Sequence, residues 1–438
     1  MDTSFSAHIE TVQTRWWQAL EAAGYDAAVI AAGDEQMYYQ DDQPAPYRPN
    51  LDFAQFLPGE PAVGAMAVVR PGEQTRIVMV IAEDYWHAPP QPPLWAEEGV
   101  ELEIVSTDEA AVRAVRRALE GSSRALLMAQ EADSNLGCAG HNDERVSAPV
   151  HFARATKTGY ELERMRAASL VGVRGHLAAR ECFYSGGSEF DIHMAYLTAS
   201  QQTAESLPYA NIIALNEHAA VLHYHHYERT SPQERHSFLI DAGGQSAGYK
   251  SDITRTYAAA DGPFADLVAA MDERQQRLTR AVLPGCAFVD LHRQTHQDVA
   301  DLLAEFGLVT CSPEAALALG LTQTFLPHGL GHLIGLQTHD IAGQQAAPTG
   351  GSQPPPEEYP ALRLTRTLEV DQVLTIEPGL YFIPMLLNKL RQQPEGRDVN
   401  WTAVEALLPC GGIRIEDNVR VDHEPENLTR QAFAEADR

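Results

Sequence analysis

The sequence has no apolar run approaching the roughly 18 residues that a membrane-crossing helix needs, which excludes a helical integral membrane protein. Basic residues are scarce: 32 Lys and Arg stand against 60 Asp and Glu, a formal charge of -28. That balance favours solubility and excludes nucleic acid and membrane as main partners. Cysteine is thin as well. Cys138, Cys182, Cys286, Cys311 and Cys410 are odd in number, far apart and never in a CxxC pair, so reduced thiols are expected rather than a disulfide framework or a zinc knuckle. The opening segment MDTSFSAHIE lacks the basic and apolar regions of a signal peptide, and the expectation is a cytoplasmic protein. Nothing in the first 150 residues or so resembles a phosphate-binding glycine loop.

What is present is a globular composition, 44% hydrophobic and 21% charged, over 438 residues, enough for two cores. Ile9, Val12, Trp16 and Leu20 recur at helical spacing after a capping Ser6, with Gly24 as the stop. Short β-forming runs follow at 27–31, 65–70, 75–81, 102–105 and 125–129, with a helical stretch at 109–119, which predicts an α/β domain over 1–153. A second domain, 154–438, opens with Thr158 and Glu161 in a capping box, and another helix starts with Ser188 and Asp191. Helical patterns at 264–282 and 291–303, set among β-rich blocks at 236–257, 373–382 and 411–421, predict an α+β domain with an antiparallel sheet. The insert 347–360, APTGGSQPPPEEYP, reads as an irregular loop near the mouth of a site.

The chemistry gathers around FLPHGLGHLIGLQTHD, residues 325–340, which carries His328, His332 and His339. Upstream, the apolar run ending at Asp241 and the strand-forming run after Asp252 flank GGQSAGYKS, a hairpin that sets the two acids on adjacent strands. Downstream, Glu377 ends the β run that starts at Val373, and alternation in GIRIEDN puts Arg414, Glu416 and Asn418 on one face. Each acid alone has a plain reading as a turn or edge charge. Four converging carboxylates repel unless cations sit among them, and with one imidazole they form a hard, oxygen-rich set suited to manganese, cobalt or zinc. Arg414 could anchor that site, or a substrate, by charge-assisted bonds.

LIDAG, DITRTY, PHGLGHLIGLQTHD, TIEPGLYF and GGIRIEDN, in this order, closely resemble the Xaa-Pro dipeptidases (prolidases) of the pita-bread metallopeptidase family, and look nearest the bacterial branch that includes the organophosphorus acid anhydrolases. The resemblance implies a curved antiparallel sheet and two divalent ions, manganese first with cobalt or zinc as alternates. Asp241 would hold one ion, His332 and Glu377 the other, and Asp252 and Glu416 both. A hydroxide between the ions would attack the carbonyl before proline, with Glu377 as proton shuttle and His339, His223 and His328 on the oxyanion or substrate. Arg363, or else Arg366, would bind the C-terminal carboxylate of a dipeptide ending in proline. Tyr209 resembles a pocket residue of the anhydrolase branch, and Phe288 stands where that branch has tyrosine, which changes any leaving-group pocket it lines. Asp41 and Asp42 resemble a loop that reaches a partner's site, which implies a homodimer.

Other patterns compete. Gly244, Ser246 and Gly248 satisfy GxSxG, but a β pattern follows where a serine hydrolase needs a helix. His292 and His296 stand at i and i+4 of a helix without the glutamate of HExxH. Aminopeptidase P activity on longer peptides, organophosphate hydrolysis as a side activity, and a binding protein that has lost catalysis are the remaining alternatives.

Overall fold

The computed structural model describes residues 2–131 and 134–436. Contacts divide the chain into two compact units. The first runs to Arg164 and takes in two excursions of the later chain, Ser246–Tyr249 and Gln345–Ser352; the second holds Met165–Gln245, Lys250–Gln344 and the chain from Gln353 onward. Among the described residues no helix is long and apolar enough to cross a membrane.

The first unit is built on a six-stranded mixed sheet. Ala27–Ala31 is central, paired antiparallel to Met66–Val69 and parallel to Ala125–Met128. The helix Phe5–Ala23 buries Ile9, Val12, Trp16 and Leu20, the residues its periodicity picks out. Its cap is Ser4, not Ser6: the Ser4 hydroxyl accepts from the Ala7 amide at 3.2 Å, whereas Ser6 already lies within the first turn. The excursions belong here through close contact. The Tyr249 hydroxyl donates to Glu161 at 3.1 Å, and Gln345 Nε2 donates to the Ala148 carbonyl at 2.9 Å. Part of the insert expected to be irregular is therefore regular, since Gln345–Ala347 and Gly350–Ser352 pair antiparallel across the turn at 348–349.

His8 is fully buried in this unit, with Nδ1 on the Thr158 hydroxyl and Nε2 on the Gln55 carbonyl, each at 2.9 Å. Burial holds its pKa below the ordinary value, with Glu161 opposing. The unfolded chain binds a proton near pH 6.5 that the folded chain refuses, so the His8 contribution is intact above that pH and declines as pH falls below it, by at most about 1.4 kcal/mol per pH unit. The drop in unfolding free energy between pH 7.5 and 5.5, measured in urea, is expected to be smaller in His8→Gln than in the parent.

The second unit opens with the helix Gly159–Tyr184, which starts in the first unit; Thr158 and Glu161 close the predicted capping box, and Ser188 and Asp191 close theirs. Three short antiparallel sheets follow: Thr254–Ala258 with Ser237–Asp241 and Ile212–Leu215; Val373–Ile376 with Asp417–Arg420 and Glu426–Asn427; and Gly379–Tyr381 with Gly412–Arg414. A single bridge between Thr254 and Glu416 brings the first beside the others. Helices Pro263–Arg280 and Phe288–Glu305 pack behind them, with Leu267, Met271, Val299 and Leu303 in the core.

Candidate metal centre

Asp241 ends its strand opposite Thr254, while Asp252 lies two residues before the neighbouring strand begins. The hairpin thus staggers the two acids instead of pairing them directly. Asn418 fixes the Asp252 backbone on both sides, accepting from its amide at 2.9 Å and donating to its carbonyl at 2.8 Å. Glu416 takes a 2.7 Å bond from the Thr254 hydroxyl. Arg414, on the same face, donates to Asp241 Oδ2 at 2.7 Å.

His332 lies in a segment without regular structure that is laced to the strand Val373–Ile376. The His332 amide donates to the Thr375 hydroxyl at 3.1 Å, and the Thr375 amide returns a 2.9 Å bond to the His332 carbonyl. A carbonyl only accepts, so the 3.0 Å contact of His332 Nδ1 with the Leu333 carbonyl puts a proton on Nδ1 and turns Nε2 towards Asp252, 3.4 Å away, and Glu377, 3.9 Å away. Gly331 permits this lacing, because a Cβ there would lie 2.0 Å from the Thr375 carbonyl oxygen. Gly331→Ala is accordingly expected to cost about 1–3 kcal/mol in an unfolding curve and to impair any activity that needs His332 beside Glu377.

Asp241, Asp252, His332, Glu377 and Glu416 line one cavity of about 200 Å³, and ligand atoms of Asp252, His332 and Glu416 lie within 4.8 Å of one another. Their charges are not balanced by side chains alone. Burial pushes Glu416 well above the carboxylate range and Glu377 up to about 7, with Asp252 adding to both. Burial also raises Asp241 against the pull of Arg414. For Asp252 burial acts upward, but His332 and Tyr209 outweigh it and the net shift is downward. His332 is the reverse case, depressed by burial but held above its ordinary value by Asp252 and Glu377.

The Tyr209 hydroxyl contacts Asp241 Oδ1 at 2.8 Å and Asp252 Oδ1 as well. One phenolic proton cannot serve two carboxylates at once, so this contact also calls for a proton or a cation between the acids. The donor set, oxygen-rich with a single imidazole, fits divalent ions of the manganese, cobalt or zinc kind.

The other predicted site residues separate by position. His223, His328, His339 and Arg363 line the cavity with Arg414. Both ring nitrogens of His328 are committed, Nδ1 to the Gly329 carbonyl and Nε2 to the Tyr381 hydroxyl, each at 2.8 Å, and burial beside Arg414 depresses its pKa to about 3. His339 stands edge-on to His332, ring centres 4.4 Å apart, and burial together with His332 and Arg363 takes it down to about 4. Arg363 is exposed and makes no hydrogen bond or ion pair among the described residues. Arg366 instead is buried and bonded to Glu369 at 2.8 Å, and Phe288 is fully buried in the first turn of its helix; neither lines the cavity. Tyr209 is likewise not among the lining residues and sits behind the two aspartates.

Two supporting residues escaped the sequence reading. Tyr381 accepts from Arg414 at 2.9 Å and donates to His328, and Thr254 holds Glu416. Their signals were present, since Tyr381 lies four residues beyond Glu377 and Thr254 two beyond Asp252, an even spacing from each acid.

Residues 163–423 match the sequence profile of metallopeptidase family M24. The chain belongs to this family. Residues 3–152 match a second profile, Xaa-Pro dipeptidase, N-terminal domain. Among curated relatives, the Xaa-Pro dipeptidase of Xanthomonas campestris pv. campestris (strain 8004) is 45% identical over 433 residues, 98% of each chain. That of Stenotrophomonas maltophilia (strain K279a) is 43% identical over 435 residues, covering 99% of this chain and 98% of its own. Solved structures of Escherichia coli aminopeptidase P share the fold: the form with the inhibitor Pro-Leu superposes with a TM-score of 0.72 at 23% identity, over 96% of this chain and 95% of that one. The M24 pita-bread architecture expected from the motifs is therefore the one found, joined to an α/β N-terminal unit.

Proposed function

We propose that the protein is a Xaa-Pro dipeptidase, with residues 1–153 as N-terminal domain and 154–438 as catalytic domain, working with two divalent ions, manganese before cobalt or zinc. Asp241 would hold one ion, His332 and Glu377 the other, and Asp252 and Glu416 both. When bound, such ions supply Lewis acidity and lower the proton affinity of water. The protein's own groups do the rest. Glu377 takes the proton of the attacking water on a carboxylate oxygen and passes it to the proline nitrogen as the peptide bond breaks. His339 and His223, imidazole donors at the cavity wall, stabilise the oxyanion. His328 acts through Tyr381 and Arg414 to hold Asp241 in place.

The observation that carries the dipeptidase reading is Arg363, a guanidinium on the wall of the carboxylate-lined cavity with no hydrogen bond or ion pair among the described residues. It suits the free carboxylate of a dipeptide whose second residue is proline. The full-length relatives named Xaa-Pro dipeptidase support the same substrate. A homodimer is part of the proposal, supported by the exposed Met37, Tyr38 and Tyr39 beside Asp41 and Asp42.

The test is dialysis against chelator, followed by turnover of Ala-Pro, Ala-Pro-Ala and a phosphotriester with manganese, cobalt or zinc restored. Loss on chelation, recovery with metal and preference for Ala-Pro are expected. Full turnover after complete demetallation would refute the metal-dependent reading, and preference for the tripeptide would replace it with aminopeptidase P activity.

A further inference from the structure

Phe288–Glu305 carries His292 and His296 one helical turn apart, both buried and neither among the residues that line the carboxylate cavity. Their partner is Tyr359. Its ring stands edge-on to His292 and stacks on His296, with centres 4.6 Å apart in each case, and the two imidazoles are 4.7 Å from each other. His296 is oriented by a 2.9 Å bond between Nδ1 and the buried Thr322 hydroxyl. His292 Nδ1 is buried without a hydrogen-bond partner among the described residues. Half-buried Tyr359 is thus held by ring contacts to two imidazoles fixed on one helix.

Downstream of Tyr359 the chain turns, the Leu362 amide donating to the Tyr359 carbonyl at 3.1 Å, and runs flush against the histidine-rich segment. A Cβ on Gly329 would lie 2.9 Å from Leu362 Cα and 3.1 Å from the Ala361 carbonyl. Ala361 and Arg363 are the residues of this stretch that line the catalytic cavity. The Tyr359 ring and the Gly329 contact thus fix the two sides of one short strap.

We propose that His292, His296 and Tyr359 form a clasp that sets the position of Arg363, and are therefore positioning residues for recognition of the substrate's C-terminal carboxylate. None of the three lines the cavity, so they act through the strap. The inference rests on the reading of Arg363 given above.

The experiment measures kcat and KM for Ala-Pro and for Ala-Pro amide, which lacks the carboxylate, in Tyr359→Ala, Tyr359→Phe, Arg363→Ala and the Tyr359→Ala/Arg363→Ala double variant. Tyr359→Ala is expected to raise KM for Ala-Pro roughly tenfold with kcat within about twofold, to leave the amide unchanged, and to add nothing once Arg363 is gone. Tyr359→Phe, which keeps the ring, is expected to behave as the parent. If Arg363→Ala raises KM but Tyr359→Ala does not, or if Tyr359→Ala affects acid and amide alike, the clasp is refuted. If Arg363→Ala itself leaves KM for Ala-Pro unchanged, the carboxylate reading fails and the clasp with it.

Discussion

Glu377→Gln is expected to lower kcat for Ala-Pro by about 10²–10⁴-fold, the range lost when a positioned proton-transfer group is removed. Glutamine keeps the volume at the end of the strand Val373–Ile376 and the backbone bond from residue 377 to the Leu330 carbonyl, 2.8 Å in the parent, so the fold is expected to persist. Arg363 is untouched, and KM is expected to change little by comparison. The same variant should behave in the opposite sense for stability once metal is stripped away. Glu377, Asp252, Asp241 and Glu416 repel one another in the buried cavity, and one fewer acid relieves that repulsion. Steady-state kinetics on the metal-restored protein and thermal melting of the chelated protein check the two halves. Retention of parental kcat would remove Glu377 from the proton path, and a lower melting point in chelator would show that the acids are not in conflict.

Arg414→Met carries the second large effect. The guanidinium is buried and joins Asp241 at 2.7 Å, the Thr254 hydroxyl at 3.3 Å and Tyr381 at 2.9 Å. Methionine leaves Asp241 buried without its cation, and breaking one side of a buried pair costs about 3–5 kcal/mol. Tyr381 loses the donor that orients it, so its bond to His328 is freed to shift. Unfolding of the chelated protein is expected to show the full loss. The metal-restored protein is expected to show less of it, because divalent charge then offsets Asp241, while turnover falls in both kinetic parameters. Equal destabilisation with and without metal would mean that Asp241 is not a ligand.

Much of the second unit is legible in the amino-acid sequence. Apolar runs that end abruptly in one acid, as at Asp241 and Glu377, and the alternation of Arg414, Glu416 and Asn418 predict both the strands and the polar inner face. Capping residues mark helix starts at Thr158 and Ser188 because the bonds that cap a helix are local. Local bonding also explains the failures. Ser4 and Ser6 are equivalent in sequence, and only the backbone geometry of the first turn chooses Ser4. The strand Gly350–Ser352 has little strand propensity of its own and exists through pairing with Gln345–Ala347.

The sequence by itself determined which acids and histidines are available as donors and which apolar, strand-forming runs they adjoin. Strand patterning and side-chain type show the candidate donors; the choice among them is what the family resemblance implies. Only the tertiary structure decided which arginine faces the cavity, since Arg363 and Arg366 lie three residues apart on one segment and differ only in that the second is buried against Glu369. It also decided that Tyr209 sits behind Asp241 and Asp252, that Phe288 lies in the core, and that both nitrogens of His328 are already bonded. Tyr209 meets Asp241 and Asp252 across 32 and 43 residues of chain and His328 meets Tyr381 across 53, and no local pattern encodes which of two equivalent side chains a distant element will cover.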